Sequence, residues 1–253
     1  MIADSVWISR PKPNPRASLR LFCFPYAGGS SMIFRNWPDA LPSIFEVCLV
    51  QLPGRGPRLR EAPYKNMLAL VEALAPEIRP YLQEPFAFFG HSMGAMISFE
   101  LARELRRKYQ FNPTCLLFSG RTAPQLPDTE PLTYNLPEAE FIEEVRRLDG
   151  TPREILVNPE LMQLIMPVLR ADFEACQTYS YQTDAPFDCP ITALGGLQDR
   201  EVKRADLEAW SKHTTGAFSL RMFPGDHFFL NNSQPLLFRV LSQTLYAGMT
   251  VSV

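Results

Sequence analysis

What the sequence lacks narrows its function before any motif is read. Lysine and arginine total 25 against 27 aspartate and glutamate, so the net charge is −2. No basic stripe marks a nucleic-acid binder. The five cysteines (Cys23, Cys48, Cys115, Cys176, Cys189) are odd in number and widely spaced. They fit neither a disulfide framework nor a zinc motif, so buried reduced thiols are expected and no metal site is assigned. No uncharged stretch reaches the roughly 18 residues of a membrane span, and residues 1–15 lack the apolar run of a signal peptide. A cytoplasmic, soluble, monomeric protein is expected.

What is present is a regular alternation. Short apolar runs at 19–24, 47–52, 86–90, 115–119, 191–195 and 219–223 read as strands. They lack polar alternation, as parallel strands covered on both faces do. Helical patterns intervene at 65–82, 92–109, 202–213 and 235–247. Residues 1–17 read as an extended N-terminal arm, and 18–253 as a single α/β domain with a doubly wound, mostly parallel sheet. Between 119 and 191 lie helical patterns at 138–148 and 160–179 but no convincing strand. This excursion reads as a helical lid inserted at about 124–187, before the strand that leads to Asp199.

The segment Gly90-His91-Ser92-Met93-Gly94 follows a strand and opens a helix. That context identifies a nucleophile elbow of the α/β-hydrolase fold, in which serine occupies a strained turn flanked by glycines. Serine needs a base, and three histidines exist. His91 adjoins Ser92 and should point away from it, while His213 is expected at an exposed helix end. His227 lies in Gly225-Asp226-His227-Phe228-Phe229, between the last strand and the last helix. The Ser…Asp…His chain order places the base there. Asp199 follows the strand at 191–195. Asp226 is too near His227 in sequence for an easy Nδ1 contact, and Asp188 precedes its strand. Ser92, Asp199 and His227 are therefore the expected triad. Oxyanion donors are expected at Met93 N–H and in Pro25-Tyr26-Ala27-Gly28-Gly29, with Ala27 preferred and Tyr26 or Gly28 possible.

Taken in order, Pro25-Tyr26-Ala27-Gly28-Gly29, Leu52-Pro53-Gly54-Arg55-Gly56, the serine elbow with Ala95, the Asp199 loop and Gly225-Asp226-His227-Phe228-Phe229 resemble the type II thioesterases. These are the free-standing editing enzymes of nonribosomal peptide and polyketide synthases, and the resemblance spans residues 18–247. It implies hydrolysis of acyl groups from the phosphopantetheine arm of an acyl or peptidyl carrier protein, removing misprimed or stalled units. It matches Ser92, Asp199 and His227 to the family triad, and Ala27 and Met93 to its oxyanion donors. It implies no cofactor beyond the phosphopantetheine carried by the substrate. Tyr26, Leu164 and Phe228 are candidate substrate contacts. Leu161, Ile165 and Phe173 either line an acyl tunnel with Leu164 or pack the lid. Arg55 and Arg58, together with Arg60, form either a solvated loop or a contact to an acidic carrier or its phosphate. Alternative activities are a small-molecule carboxylesterase and a medium-chain fatty acyl thioesterase; a non-catalytic hydrolase-like binding protein is a third reading.

Overall fold

A computed structural model describes residues 5–127 and 130–251. Residues 1–4 of the arm, 128 and 129 of the expected lid, and 252 and 253 lie outside the described residues. The strands are β1 (Ile8–Ser9), β2 (Leu19–Phe24), β3 (Phe45–Val50), β4 (Phe86–His91), β5 (Cys115–Ser119), β6 (Ile191–Gly196) and β7 (Phe218–Phe223). They form one sheet in the order β1-β3-β2-β4-β5-β6-β7. All neighbours pair in parallel except β1, which runs antiparallel to β3.

Burial on both faces explains the largely apolar runs of β2 to β6, in which the two charged residues, Arg20 and Glu46, are buried as an ion pair. Phe22, Phe24, Phe88 and Phe118 enter one core layer, while Leu21, Cys23, Phe89 and Leu117 enter the other. Two helices cover the first face, α2 (Met67–Ile78) and α3 (Met93–Tyr109), through Leu70, Leu74, Ile97 and Leu101. The second face receives α1 (Trp37–Ala40) and α9 (Gln234–Val251), with Leu237, Leu241 and Leu245 forming a stripe at helical spacing.

The arm is not simply an extended lead-in. Ile8 pairs with Val50 and Ser9 with Leu49, and Trp7 and Ile8 are buried. A two-residue strand among prolines and charges carries no periodic signal, so the sequence did not announce it. The helix expected at 202–213 is split into α7 (Arg204–Glu208) and a 3-10 turn, Ala209–His213. His213 is not at an exposed end; it is 5% exposed. Its Nε2 meets Gln125 Oε1, and the rings of Phe99, Tyr181 and Trp210 pack around it. A short helix α8 (Phe229–Asn232) precedes α9.

Between β5 and β6 the chain forms α4 (Glu138–Arg147), α5 (Arg153–Leu156) and α6 (Pro159–Gln177). Phe141, Val145 and Leu169 make a small core of their own, joined by Ile165 and Phe173. No strand occurs in this excursion among the described residues. Asn158 caps α6 by accepting the N–H groups of Glu160 and Leu161, which satisfies two of its free donors.

Candidate active site

The site sits at the carboxyl ends of the parallel strands. β4 ends at His91, α3 begins at Met93, and Ser92 between them has φ 54° and ψ −114°. A non-glycine residue there is strained. Two close approaches hold the turn. A Cβ on Gly90 would lie 2.1 Å from Gly94 O, and one on Gly94 would lie 2.1 Å from Phe24 O. Both contacts are to backbone, so only glycine fits. Ser92 N–H donates to Ser119 O at 2.7 Å, fixing the elbow to β5.

The loops after β6 and β7 are brought together in the same way. A Cβ on Gly196 would lie 2.1 Å from Asp226 O. Gln198 N–H donates to Gly225 O, and Gly225 N–H donates back to Gln198 Oε1. This clasp sets His227 Nδ1 2.8 Å from Asp199 Oδ2. Asp199 Oδ1 accepts the N–H groups of Glu201 and Val202. Burial pushes the Asp199 carboxyl up, but the His227 contact and the two N–H donors outweigh it and hold the carboxyl below its usual range. Asp226 is exposed and accepts from Phe228 N–H instead, and the carboxyl facing His227 is that of Asp199.

His91 does not line the cleft, although its ring packs behind those of His227, Tyr26 and Phe228. It is fully buried with Nδ1 2.9 Å from Ser119 Oγ. Burial, then the nearby His227, holds its pKa well below the usual value, so it stays neutral. A Cβ on Gly120 would lie 2.7 Å from His91 Cε1 and 3.3 Å from His227 Cε1.

The N–H groups near Ser92 divide clearly. Gly28 N–H is taken by Asp172 Oδ2 at 2.7 Å, and Gly29 N–H by Tyr26 O at 2.9 Å. No acceptor among the described residues takes the N–H of Ala27 or Met93. Met93 is also the first residue of α3, where free donors and the helix dipole favour negative charge. Of the three residues weighed in the Pro25–Gly29 loop, Gly28 is thereby excluded as an oxyanion donor.

Ser92, His227, Ala27, Tyr26 and Phe228 all line one cleft of about 1160 Å³ under the lid. Its far wall includes Leu169 and Phe173 of α6 and Leu148 and Gly150 beyond α4. Tyr26 and Phe228 meet edge to face with centroids 5.0 Å apart. Phe228 also abuts Gly150, where a Cβ would lie 2.6 Å from its Cζ.

Three expectations fail on burial. Arg55 is 7% exposed and engages Asp172 through Nη1 and Nη2, with its Nε donating to Pro53 O. Arg58 is 6% exposed, chelates Glu61, donates to Gln51 O and lies 3.9 Å from the Trp7 ring centroid. Neither guanidinium is free to meet a carrier protein. Leu164 is 49% exposed and, like Leu161, lies outside the cleft lining. Phe173 does line the cleft, and Ile165 packs within the lid. Sequence reasoning missed Asp172. The signal was a lone acid on the apolar side of a helix, flanked by Val168, Leu169 and Ala175, all buried.

Comparison with known proteins follows the same residues. The sequence matches the thioesterase domain family over residues 19–245. It is 50% identical to the gramicidin S biosynthesis protein GrsT of Aneurinibacillus migulanus over 228 residues, 90% of this chain and 89% of that protein. It is 45% identical to LgrE of Brevibacillus parabrevis, covering 96% of this chain and 94% of that one. LgrE bears the name linear gramicidin dehydrogenase, which differs from the family's activity. The structure of BorB, the type II thioesterase of the borrelidin biosynthetic cluster, superposes with a TM-score of 0.88 at 36% identity, covering 97% of this chain and all of that one. The family match takes in β2 to β7, the lid and every loop of the site, and the chain belongs to the thioesterase domain family.

Proposed function

We propose that this protein hydrolyses acyl groups held as thioesters on the phosphopantetheine arm of carrier proteins, clearing misprimed or stalled units from a nonribosomal peptide or polyketide synthase. The observation that carries the chemistry is the 2.8 Å contact of His227 Nδ1 with Asp199 Oδ2, in the same cleft as a strained Ser92. That contact keeps a proton on Nδ1 and leaves Nε2 as the base. The editing role is supported by relatives in gramicidin and borrelidin biosynthesis.

In this mechanism His227 Nε2 takes the Ser92 hydroxyl proton as Oγ attacks the thioester carbon. The carbonyl oxygen becomes an oxyanion held by the N–H groups of Ala27 and Met93. Collapse breaks the C–S bond, and the pantetheine sulfur leaves with the proton from His227. A water then repeats the sequence, giving His227 its proton, attacking the acyl-serine and releasing the acid with Ser92 restored. Asp199 remains a carboxylate and stabilises the imidazolium. Besides water and the substrate's own phosphopantetheine, no cofactor is expected in these steps. A carrier protein is the expected partner, and a monomer in the cytoplasm the expected state. No helix among the described residues is long and apolar enough to cross a membrane.

Acyl-enzyme trapping tests the assignment. After brief mixing with a hexanoyl thioester, mass spectrometry should find one hexanoyl group on the peptide containing Ser92, and none in Ser92→Ala. A label on another residue would overturn the nucleophile.

A further inference from the structure

The carboxylate of Asp172 joins three parts of the chain. It lies inside α6, is 2% exposed, and receives both Nη groups of Arg55 and the N–H of Gly28. The lid helix also presses on this loop directly. Gly28 has φ +74°, and a Cβ there would lie 2.5 Å from Leu169 Cδ2. Gly54, one residue before Arg55, has φ +83° and would carry a Cβ 3.2 Å from Val168 Cγ2. Two glycine loops are therefore seated beneath one turn of α6, and the ion pair is the polar centre of that seat. Gly28 adjoins Ala27, whose free N–H faces no acceptor among the described residues.

We propose that Asp172 is a positioning residue for the oxyanion site: by accepting the Gly28 N–H it fixes the Ala27–Gly28 peptide and so the place of Ala27, while the Gly29 N–H bond to Tyr26 O holds the plane of the adjoining Tyr26–Ala27 peptide that carries the Ala27 N–H, and Arg55 holds the carboxylate in place. This rests on Ala27 being an oxyanion donor. It also makes α6 a fixed wall tied to the catalytic loop. A buried carboxylate with two guanidinium bonds and one backbone bond is fully engaged, so shifting α6 would leave buried charge unpaired on both sides.

Two double variants separate positioning from simple packing. Arg55→Gln with Asp172→Asn removes both charges and keeps an oxygen able to accept from Gly28. Arg55→Met with Asp172→Leu removes both charges and that acceptor too. Kinetics on a hexanoyl thioester, with melting temperatures for both, give the comparison. The amide pair should retain kcat within about 3-fold, whereas the apolar pair should lose about 10–100-fold in kcat with little change in KM, less than the loss of a whole donor. Affinity for an alkyl boronic acid, which forms a tetrahedral adduct on Ser92, should fall in step with kcat. Equal kcat in two well-folded double variants would overturn the proposal, as would a loss confined to KM. Should the apolar pair not fold, Arg55→Met with Asp172→Ala, less crowded against Leu169, makes the same comparison. Failure of the underlying function would appear separately, as absent turnover and absent boronate binding in the unsubstituted protein.

Discussion

Replacing Ser92 by glycine should make the protein more stable while abolishing turnover. The elbow holds Ser92 at φ 54° and ψ −114°, a conformation that costs a side-chain-bearing residue about 1–3 kcal/mol. Alanine at this position inherits that strain, because the Cβ is its cause. Glycine escapes it, at an entropic cost of roughly 0.5–1 kcal/mol in the unfolded chain. With both terms at mid-range, the difference favours Ser92→Gly over Ser92→Ala by about 1 kcal/mol. At an ordinary helix position the order is reversed, with glycine the less stable. For a domain of this size, a kilocalorie shifts the melting temperature by about 2–4 °C, so Ser92→Gly should melt about 2–4 °C above Ser92→Ala. Both variants lack the nucleophile, so activity cannot account for the gap. Thermal melts of the two inactive variants under one buffer provide the assay. A Ser92→Gly protein melting at or below Ser92→Ala would refute the claim that backbone strain is stored at the elbow.

Further expectations concern residues at increasing distance from Ser92. Arg58→Ala should cost about 2–4 kcal/mol, from a charged hydrogen bond to Gln51 O and the contact over Trp7, with kcat unchanged; denaturant melts would show it, and unaltered stability with a raised KM for carrier substrate would return Arg58 to the carrier surface. Leu169→Phe narrows the cleft and should shift acyl preference toward shorter chains, whereas Leu164→Phe, on the outer side of α6, should leave the chain-length profile as it is; a matched thioester series decides between them. His213 is held neutral by burial, then by the Arg103 charge, with its pKa lowered to about 4. An unfolded chain protonates this ring near pH 6.5, so the stability His213 contributes is present above that value and is lost as pH falls toward 4. The melting-temperature advantage of the native protein over His213→Gln should shrink across that interval, and a constant difference would contradict the sign.

The sheet was legible because covered strands betray themselves. Leu19–Phe24 and Cys115–Ser119 are apolar but for Arg20 and the closing Ser119, and their bounds match the structure. The elbow was legible because its glycines answer to backbone contacts that allow no side chain. Chain order pointed to Asp199 and His227 as partners, and the clasp between the β6 and β7 loops brings those two side chains to 2.8 Å. What the sequence concealed were pairings between distant segments. Arg55 looked like a surface arginine because nothing near it in sequence is acidic; its partner lies 117 positions away in the lid. Arg58 has an acid three residues on, yet its burial comes from Trp7 in the arm. Leu164 shared a helical stripe with cleft residues, but α6 turns that part of the stripe outward. His213 read as exposed because the rings that bury it come from α3, the lid and the preceding 3-10 turn.

The central claim is that the Ser92 site acts on carrier-bound thioesters, and one comparison reaches it most directly. Hexanoyl groups should be presented as a carrier-protein thioester, a free acyl-thiol and a p-nitrophenyl ester, with Ser92→Ala as the control. The account predicts the highest kcat/KM on the carrier-bound thioester and no turnover of any of the three by Ser92→Ala. A p-nitrophenyl ester processed faster than the carrier-bound thioester would contradict it.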